Sequence, residues 1–174
     1  MFYWNLTKPV LWKGYATPKV AALLRNTAST ILFRLYITFR AFVTPSVFGV
    51  AGAVYDEQGR VLLVRHRYMA GWRLPGGGVD RGEPAQTAVL RELREEVGLS
   101  GGTAELFGIY NRPAGWASNV VALYRITGAA VNFRPNLEIS EICFADPRQP
   151  PPGCSPATVR RLGELAGAPP SPVW

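Results

Sequence analysis

Glu92, Glu95 and Glu96 stand three and four positions apart in the run Arg91-Glu92-Leu93-Arg94-Glu95-Glu96-Val97-Gly98-Leu99. On a helix those side chains are neighbours, and like charges at such spacings repel by roughly 0.2–0.5 kcal/mol a pair. A divalent cation removes that penalty. Carboxylate oxygens with no histidine or thiolate among them suit hard Mg²⁺, with Mn²⁺ as a substitute. The plainer alternative for the same glutamates is an acidic helical face paired with Arg91 and Arg94.

The helix that would carry them has signals of its own. Pro84 suits a first turn and Gly98 a termination. Between them Val89, Leu90, Leu93 and Val97 share a stripe at about 100° per residue. The three glutamates fall on the arc beside that stripe, whereas Thr87 and Arg94 point away from it, so the spacing predicts acids at the wall of a groove. Upstream, Gly76, Gly77 and Gly78 follow Pro75, a turn whose backbone can approach a metal or phosphate with no Cβ in the way. An ordinary strand-to-loop turn is the alternative. No Lys follows at the spacing of a nucleoside-triphosphate loop.

From Gly77 the chain runs five residues to Glu83, seven more to Arg91, and then through the acidic run to Gly98-Leu99. This resembles the complete Nudix box, Gly-x5-Glu-x7-Arg-Glu-U-x-Glu-Glu-x-Gly-U with U aliphatic. At ordinary residue frequencies a chance match is on the order of 10⁻⁸ per chain. The resemblance implies that Glu92, Glu95 and Glu96 ligate the metal with the backbone carbonyl of Gly76, and that an ion pair between Glu83 and Arg91 holds the loop against the helix. It also implies attack of water on phosphorus in a diphosphate linkage, an αβα sandwich around a mixed sheet, and a homodimer. Glu92 is the first candidate for the base or water-orienting residue; Glu138 and Glu141, near the last strand, are candidates for base or extra ligand.

The elements that must position these residues read as α+β. Two Val- and Leu-rich stretches, residues 47–55 and 60–67, flank Asp56-Glu57-Gln58-Gly59 in the pattern of strands joined by a tight turn. A short strand is expected at Trp72-Arg73-Leu74, the helix from Pro84, strands at 105–110, 120–126 and 139–144, and a last helix at 155–165. The domain would span residues 46–166, followed by a Pro-rich tail at 167–174. For the substrate, Trp72, Tyr110 and Trp116 are candidates to stack on a nucleobase, and Arg73 and Arg112, with Arg65 and Arg67, to meet phosphates; each alternatively packs or carries solvated charge.

Charge separates residues 1–45 from the rest. Six Lys and Arg and no acid occupy residues 1–55, while the remaining thirteen Arg face twelve acids, so the net +7 belongs almost wholly to the N-terminal extension. That extension is aromatic-rich, reads as helical from about residue 18, and carries Val20, Leu24, Ile31, Leu35 and Phe42 on one face. Arg25, Arg34 and Arg40 interrupt it too often for a bilayer span. It is expected either to meet an anionic membrane surface or to serve as a scaffold helix, on a cytoplasmic or membrane-peripheral protein. No specific nucleic acid is expected as a partner. His66 is the only histidine, and Cys143 and Cys154 are the only cysteines, so classical zinc sites and Ser-His or Cys-His catalysis lack their parts. Three functions follow: a nucleotide diphosphate hydrolase, a membrane-peripheral hydrolase of lipid-linked diphosphates, and a non-catalytic binding module, the last disfavoured by an intact set of box glutamates.

Overall fold

The run Val61-Leu62-Leu63-Val64 has no polar side, and all four residues are fully buried. Such a run requires cover on both faces of its strand. In the computed structural model, which describes residues 31, 34–36, 38–39, 46–114 and 117–174, that cover is one helix on each face. The order is β1 (Ser46–Val54), β2 (Val61–His66), β3 (Trp72–Arg73), α1 (Ala85–Val97), β4 (Leu99–Ala114), β5 (Ala117–Val131), β6 (Ile139–Ala145) and α2 (Pro156–Leu165). The strands make two three-stranded sheets. One has the order β1-β5-β4 and is mixed, β1 running parallel to β5; the other, β3-β2-β6, is antiparallel.

Side-chain alternation along the strands sorts two cores. Val50 and Val54 of β1 and Leu62 and Val64 of β2 face Ala88, Val89, Leu93 and Val97 of α1. Ala51 and Ala53, with Val61 and Leu63, face the other way and meet Leu162 of α2, Trp72, Leu74 and Tyr110. This is the expected αβα sandwich. Burial of each such Val or Leu stabilises it by about 1.5–3 kcal/mol. Helix α1 ends at Gly98, which takes a left-handed conformation and returns its N–H to Arg94 and Leu93. Helix α2 starts from Ser155, whose Oγ accepts the Thr158 N–H at 3.2 Å, with Pro156 in the first turn.

Residues 47–55 and 60–67 do hold two strands joined by a tight turn, β1 and β2, each in a different sheet. The turn is present, with Asp56 accepting the N–H groups of Gln58 and Arg60, but only the Tyr55–Val61 bridge joins the strands before they enter different sheets. Turn chemistry fixes the chain reversal; the partners of β1 and β2 are fixed by β5 and β6, which arrive later in the chain. One expectation is corrected: strands β4 and β5 are much longer than the 105–110 and 120–126 expected. They pair from Leu99↔Val131 to Ala114↔Ala117, with an irregularity between Leu106 and Gly108. Backbone pairing carries the ladder through Ser100, Gly101, Thr103 and Thr127, which have no apolar alternation to reveal it.

The chain divides into two compact units, Met1–Val43 and Thr44–Trp174. Most of the basic extension lies outside the described residues, including Val20, Leu24 and Phe42. Its described residues Ile31, Arg34, Leu35, Tyr36, Thr38 and Phe39 are helical and exposed. No helix among the described residues is long and apolar enough to cross a membrane.

Candidate active site

The glycine turn is fastened to β1 before it meets α1. Gly52 N–H donates to the Pro75 carbonyl at 2.9 Å, Val50 N–H to Gly77 at 2.9 Å, and Val79 N–H to Phe48 at 3.0 Å. Gly76 has φ +144°, and a Cβ there would meet the Val50 carbonyl oxygen, while a Cβ on Gly77 would meet the Glu92 carboxylate. The turn is therefore threaded between strand and helix, and at Gly76 the space and the backbone conformation admit only glycine.

From the helix side, Glu96 reaches back to the same turn. Its Oε2 accepts the Gly76 N–H at 2.8 Å, and it is only 5% exposed. Burial pushes its carboxyl up to about 7; the Gly76 N–H pulls the other way, and the charges of Glu92, Glu138 and Glu95 add to the rise. Arg91 works like a fork. Its Nε and Nη2 donate to Glu83 at 3.0 and 2.9 Å, Nη2 also to the Gly78 carbonyl at 3.0 Å, and Nη1 to Glu92 Oε1 at 2.8 Å. Glu95 lies 3.5 Å from Nη1. These hydrogen bonds hold the Glu83 carboxyl below the usual carboxylate range. One guanidinium thus ties loop, turn and helix together.

Glu92, Glu95, Glu96 and Glu138 line one open cleft with Asn136 and Leu137. Asn136 explains how Glu138 is brought there: its Nδ2 donates to the Glu96 carbonyl at 3.0 Å, and its Oδ1 accepts the N–H groups of Glu138 and Ile139 at 2.9 and 2.7 Å. Glu141 is placed elsewhere, exposed on β6 and paired with Arg65 at 3.0 Å.

Among the described residues no three His, Cys, Asp or Glu side chains converge as a finished coordination sphere, because Glu92 and Glu95 are turned towards Arg91. The donor set nevertheless fits a hard divalent cation. Four carboxylates share one cleft, one of them buried beside the others and resisting ionisation, and a cation reverses that electrostatic cost.

The aromatic and basic candidates separate. Trp72 is buried in the core under the Arg65 guanidinium, 4.3 Å from its ring centroid. Tyr110 is buried, donates to Glu164 at 2.8 Å, and has Arg161 3.8 Å above its ring. Neither ring is free to stack on a base, contrary to the sequence expectation, because strand alternation turns both inward. Trp116 lies outside the described residues. Arg73 and Arg112 do share a cavity, beside residues 76–78, with His66, Asn119 and Trp174. Sequence reasoning missed these last three and Asn136. His66 was visible as the lone histidine; the others gave no local signal.

Fold and site together define an αβα sandwich with an acidic cleft beside a glycine turn, and comparison with known proteins gives its family. The family model for the NUDIX domain matches residues 45–161, and the chain belongs to the Nudix family. It is 42% identical over 60 residues to the putative 8-oxo-dGTP diphosphatase of Bacillus subtilis, an alignment covering 34% of this chain and 40% of that protein. It is 31% identical over 78 residues to the ADP-ribose pyrophosphatase of Methanocaldococcus jannaschii, covering 43% of this chain and 45% of that one. The chain thus spans less than half the length of these curated relatives. The crystal structure of the MutT NUDIX hydrolase from Burkholderia pseudomallei superimposes with a TM-score of 0.60 at 25% identity, over 68% of this chain and 96% of the other.

Proposed function

We propose that this protein is a Mg²⁺-dependent hydrolase that cleaves a diphosphate linkage in a nucleotide or nucleoside diphosphate derivative. The observation that carries the reading is the convergence of Glu92, Glu95, Glu96 and Glu138 on one cleft beside a glycine turn that Glu96 and Arg91 both hold. The relatives named as a diphosphatase and a pyrophosphatase support it.

Glu92, Glu95 and Glu96 would hold the cation, with the Gly76 carbonyl beside them. The cation, when bound, neutralises phosphate oxygens and lowers the pKa of water. Arg91, through its two hydrogen bonds to Glu83, would keep the turn in register while Glu92 and Glu95 hold the cation. Glu92 is the preferred group to orient and deprotonate the attacking water; Glu138, across the cleft, is the alternative. Glu141, engaged by Arg65, is the least suited of the three.

The test is turnover of nucleoside triphosphates, ADP-ribose, dinucleoside polyphosphates, NADH and prenyl diphosphates with Mg²⁺ or with EDTA. Metal-dependent hydrolysis of one class, abolished in both Glu92→Gln and Glu96→Gln, is the expected result. A folded, metal-binding protein that turns over none of them would sink the reading. Prenyl diphosphates are included because the extension is acid-free and its described apolar residues Ile31, Leu35, Tyr36 and Phe39 are exposed. For the same reason the full chain is expected to bind anionic vesicles, and a failure to cofloat with them removes membrane association.

A further inference from the structure

The turn before β6 buries little, and Leu137 within it is 93% exposed. Hydrogen bonds hold it nonetheless. Asn136 N–H donates to the Ile139 carbonyl at 3.0 Å, and the Asn136 side chain joins the Glu96 carbonyl to the N–H groups of Glu138 and Ile139. From the chain just past β2, Arg67 N–H donates to the Glu138 carbonyl at 2.9 Å and Arg67 Nε to the Asn136 carbonyl at 2.8 Å. Ser140 Oγ donates to the Arg65 carbonyl at 3.0 Å. The segment after β2 and the turn that carries Glu138 are therefore clamped together at the wall of the acid cleft.

The next residue after Arg67 is Tyr68, and the clamp sets it beside Glu138. Its ring lies against His66, with centroids 5.3 Å apart and a tilt of 51°, and the residue is 66% exposed. It lines the cavity bounded by residues 76–78, so it stands where the glycine turn and the acid cleft meet. Burial raises the pKa of its phenol, and the charges of Glu138, Glu96 and Glu92 add to the rise. A phenol that ordinarily titrates near about 10 is thus kept protonated at neutral pH, as a donor. Its neutrality matters at this place. A Lys or Arg beside these carboxylates would be drawn into ion pairs with them, as Arg91 is, and would compete with a cation for the same oxygens. A neutral O–H adds no such competitor, and its hydrogen bond to an anionic oxygen is strengthened by the acceptor's charge.

We propose that Tyr68 is a substrate-binding residue whose hydroxyl donates a hydrogen bond to a phosphate oxygen of the diphosphate held at the acid cleft. The proposal rests on the diphosphate-hydrolase reading above and adds to it a neutral donor for the diphosphate itself. The cation held by the glutamates covers part of the phosphate charge, and Tyr68 meets an oxygen that the cation leaves uncovered. The proton stays on the phenol, so the residue acts through binding and orientation. His66 supports the ring, and the clamp of Arg67 on the Glu138 turn keeps the donor at a fixed place beside the acids.

The test is calorimetric titration of the full chain with Mg²⁺ alone, and with imidodiphosphate at saturating Mg²⁺, for wild type, Tyr68→Phe and Tyr68→Ala. Because the side chain is largely exposed, neither substitution opens the core. Tyr68→Phe is expected to weaken imidodiphosphate about tenfold, the loss of one hydrogen bond to a charged group, and to leave Mg²⁺ affinity unchanged. Tyr68→Ala is expected within about threefold of Tyr68→Phe, since the hydroxyl and not the ring makes the contact. Equal imidodiphosphate binding by wild type and Tyr68→Phe overturns the proposal. So does an equal loss of Mg²⁺ affinity, which would place the effect on the acids, or a metal-loaded wild type that binds no imidodiphosphate. Because no turnover is read, a protein that binds imidodiphosphate through Tyr68 yet hydrolyses nothing would support the contact and refute only the hydrolase.

Discussion

Arg91 grips Glu83 through two parallel hydrogen bonds, Nε to Oε1 at 3.0 Å and Nη2 to Oε2 at 2.9 Å, eight residues apart in sequence, Glu83 in the loop before α1 and Arg91 on α1. Because the same guanidinium also holds the Gly78 carbonyl, its planar fork and not merely its charge sets the loop. Lysine cannot reproduce that geometry. Arg91→Lys is therefore expected to lower kcat about 10–100-fold, as loss of an orienting partner around a metal site commonly does, with the circular dichroism spectrum unchanged. An Arg91→Lys enzyme of wild-type kcat would refute the orienting role.

The two glycines of the turn are expected to fail differently. Alanine at Gly77 meets the movable Glu92 carboxylate, so Gly77→Ala should lose activity while its melting temperature stays close to wild type. Alanine at Gly76 meets the backbone of Val50 at a φ of +144°, which should destabilise the fold by about 1–3 kcal/mol. Urea unfolding and steady-state kinetics on both variants check this; equal stability losses would refute the distinction.

His66 gives the fold an acid sensitivity of known sign. Burial lowers its pKa, Arg73 pushes the same way, and Glu138 opposes. The folded state thus favours neutral imidazole. Its contribution is fully present above the unfolded value of about 6.5 and is lost as pH falls through the lowered folded value. The stability difference between wild type and His66→Gln, followed by urea unfolding from about pH 8 to pH 5, should move against the wild type in acid. A difference that does not vary with pH would show that His66 carries no such linkage.

Arg161 is fully buried, with Nε and Nη1 unpaired and its charge met by Glu164 and the Tyr110 ring. Removing it strands the Glu164 carboxylate in the core, so Arg161→Ala should destabilise by about 3–5 kcal/mol. The doubly neutral Arg161→Met with Glu164→Gln should recover part of that loss. A double variant no more stable than Arg161→Ala would show that the lost packing, and not the orphaned charge, sets the cost.

What the sequence by itself determined was whatever depends on short-range spacing. The helix bounds, the glycine turn and the i,i+3 and i,i+4 glutamates all follow from residues within 23 positions, Gly76 to Gly98, where helical periodicity and turn chemistry act directly; the Glu83–Arg91 ion pair followed from the resemblance of the same stretch to the Nudix box. The strands β2 and β6 were legible for a similar reason, since burial on both faces or alternation leaves an apolar signature in the strand itself. Only the tertiary structure decided which strands pair, how far β4 and β5 extend, that Tyr110 and Trp72 turn inward, and that Glu138 reaches the acid cleft while Glu141 goes to Arg65. It alone brought Trp174 beside His66 and Asn119. Those relationships depend on backbone ladders, which carry no side-chain label, and on contacts between residues far apart in the chain, whose geometry is set by the packing of the two helices on the sheets.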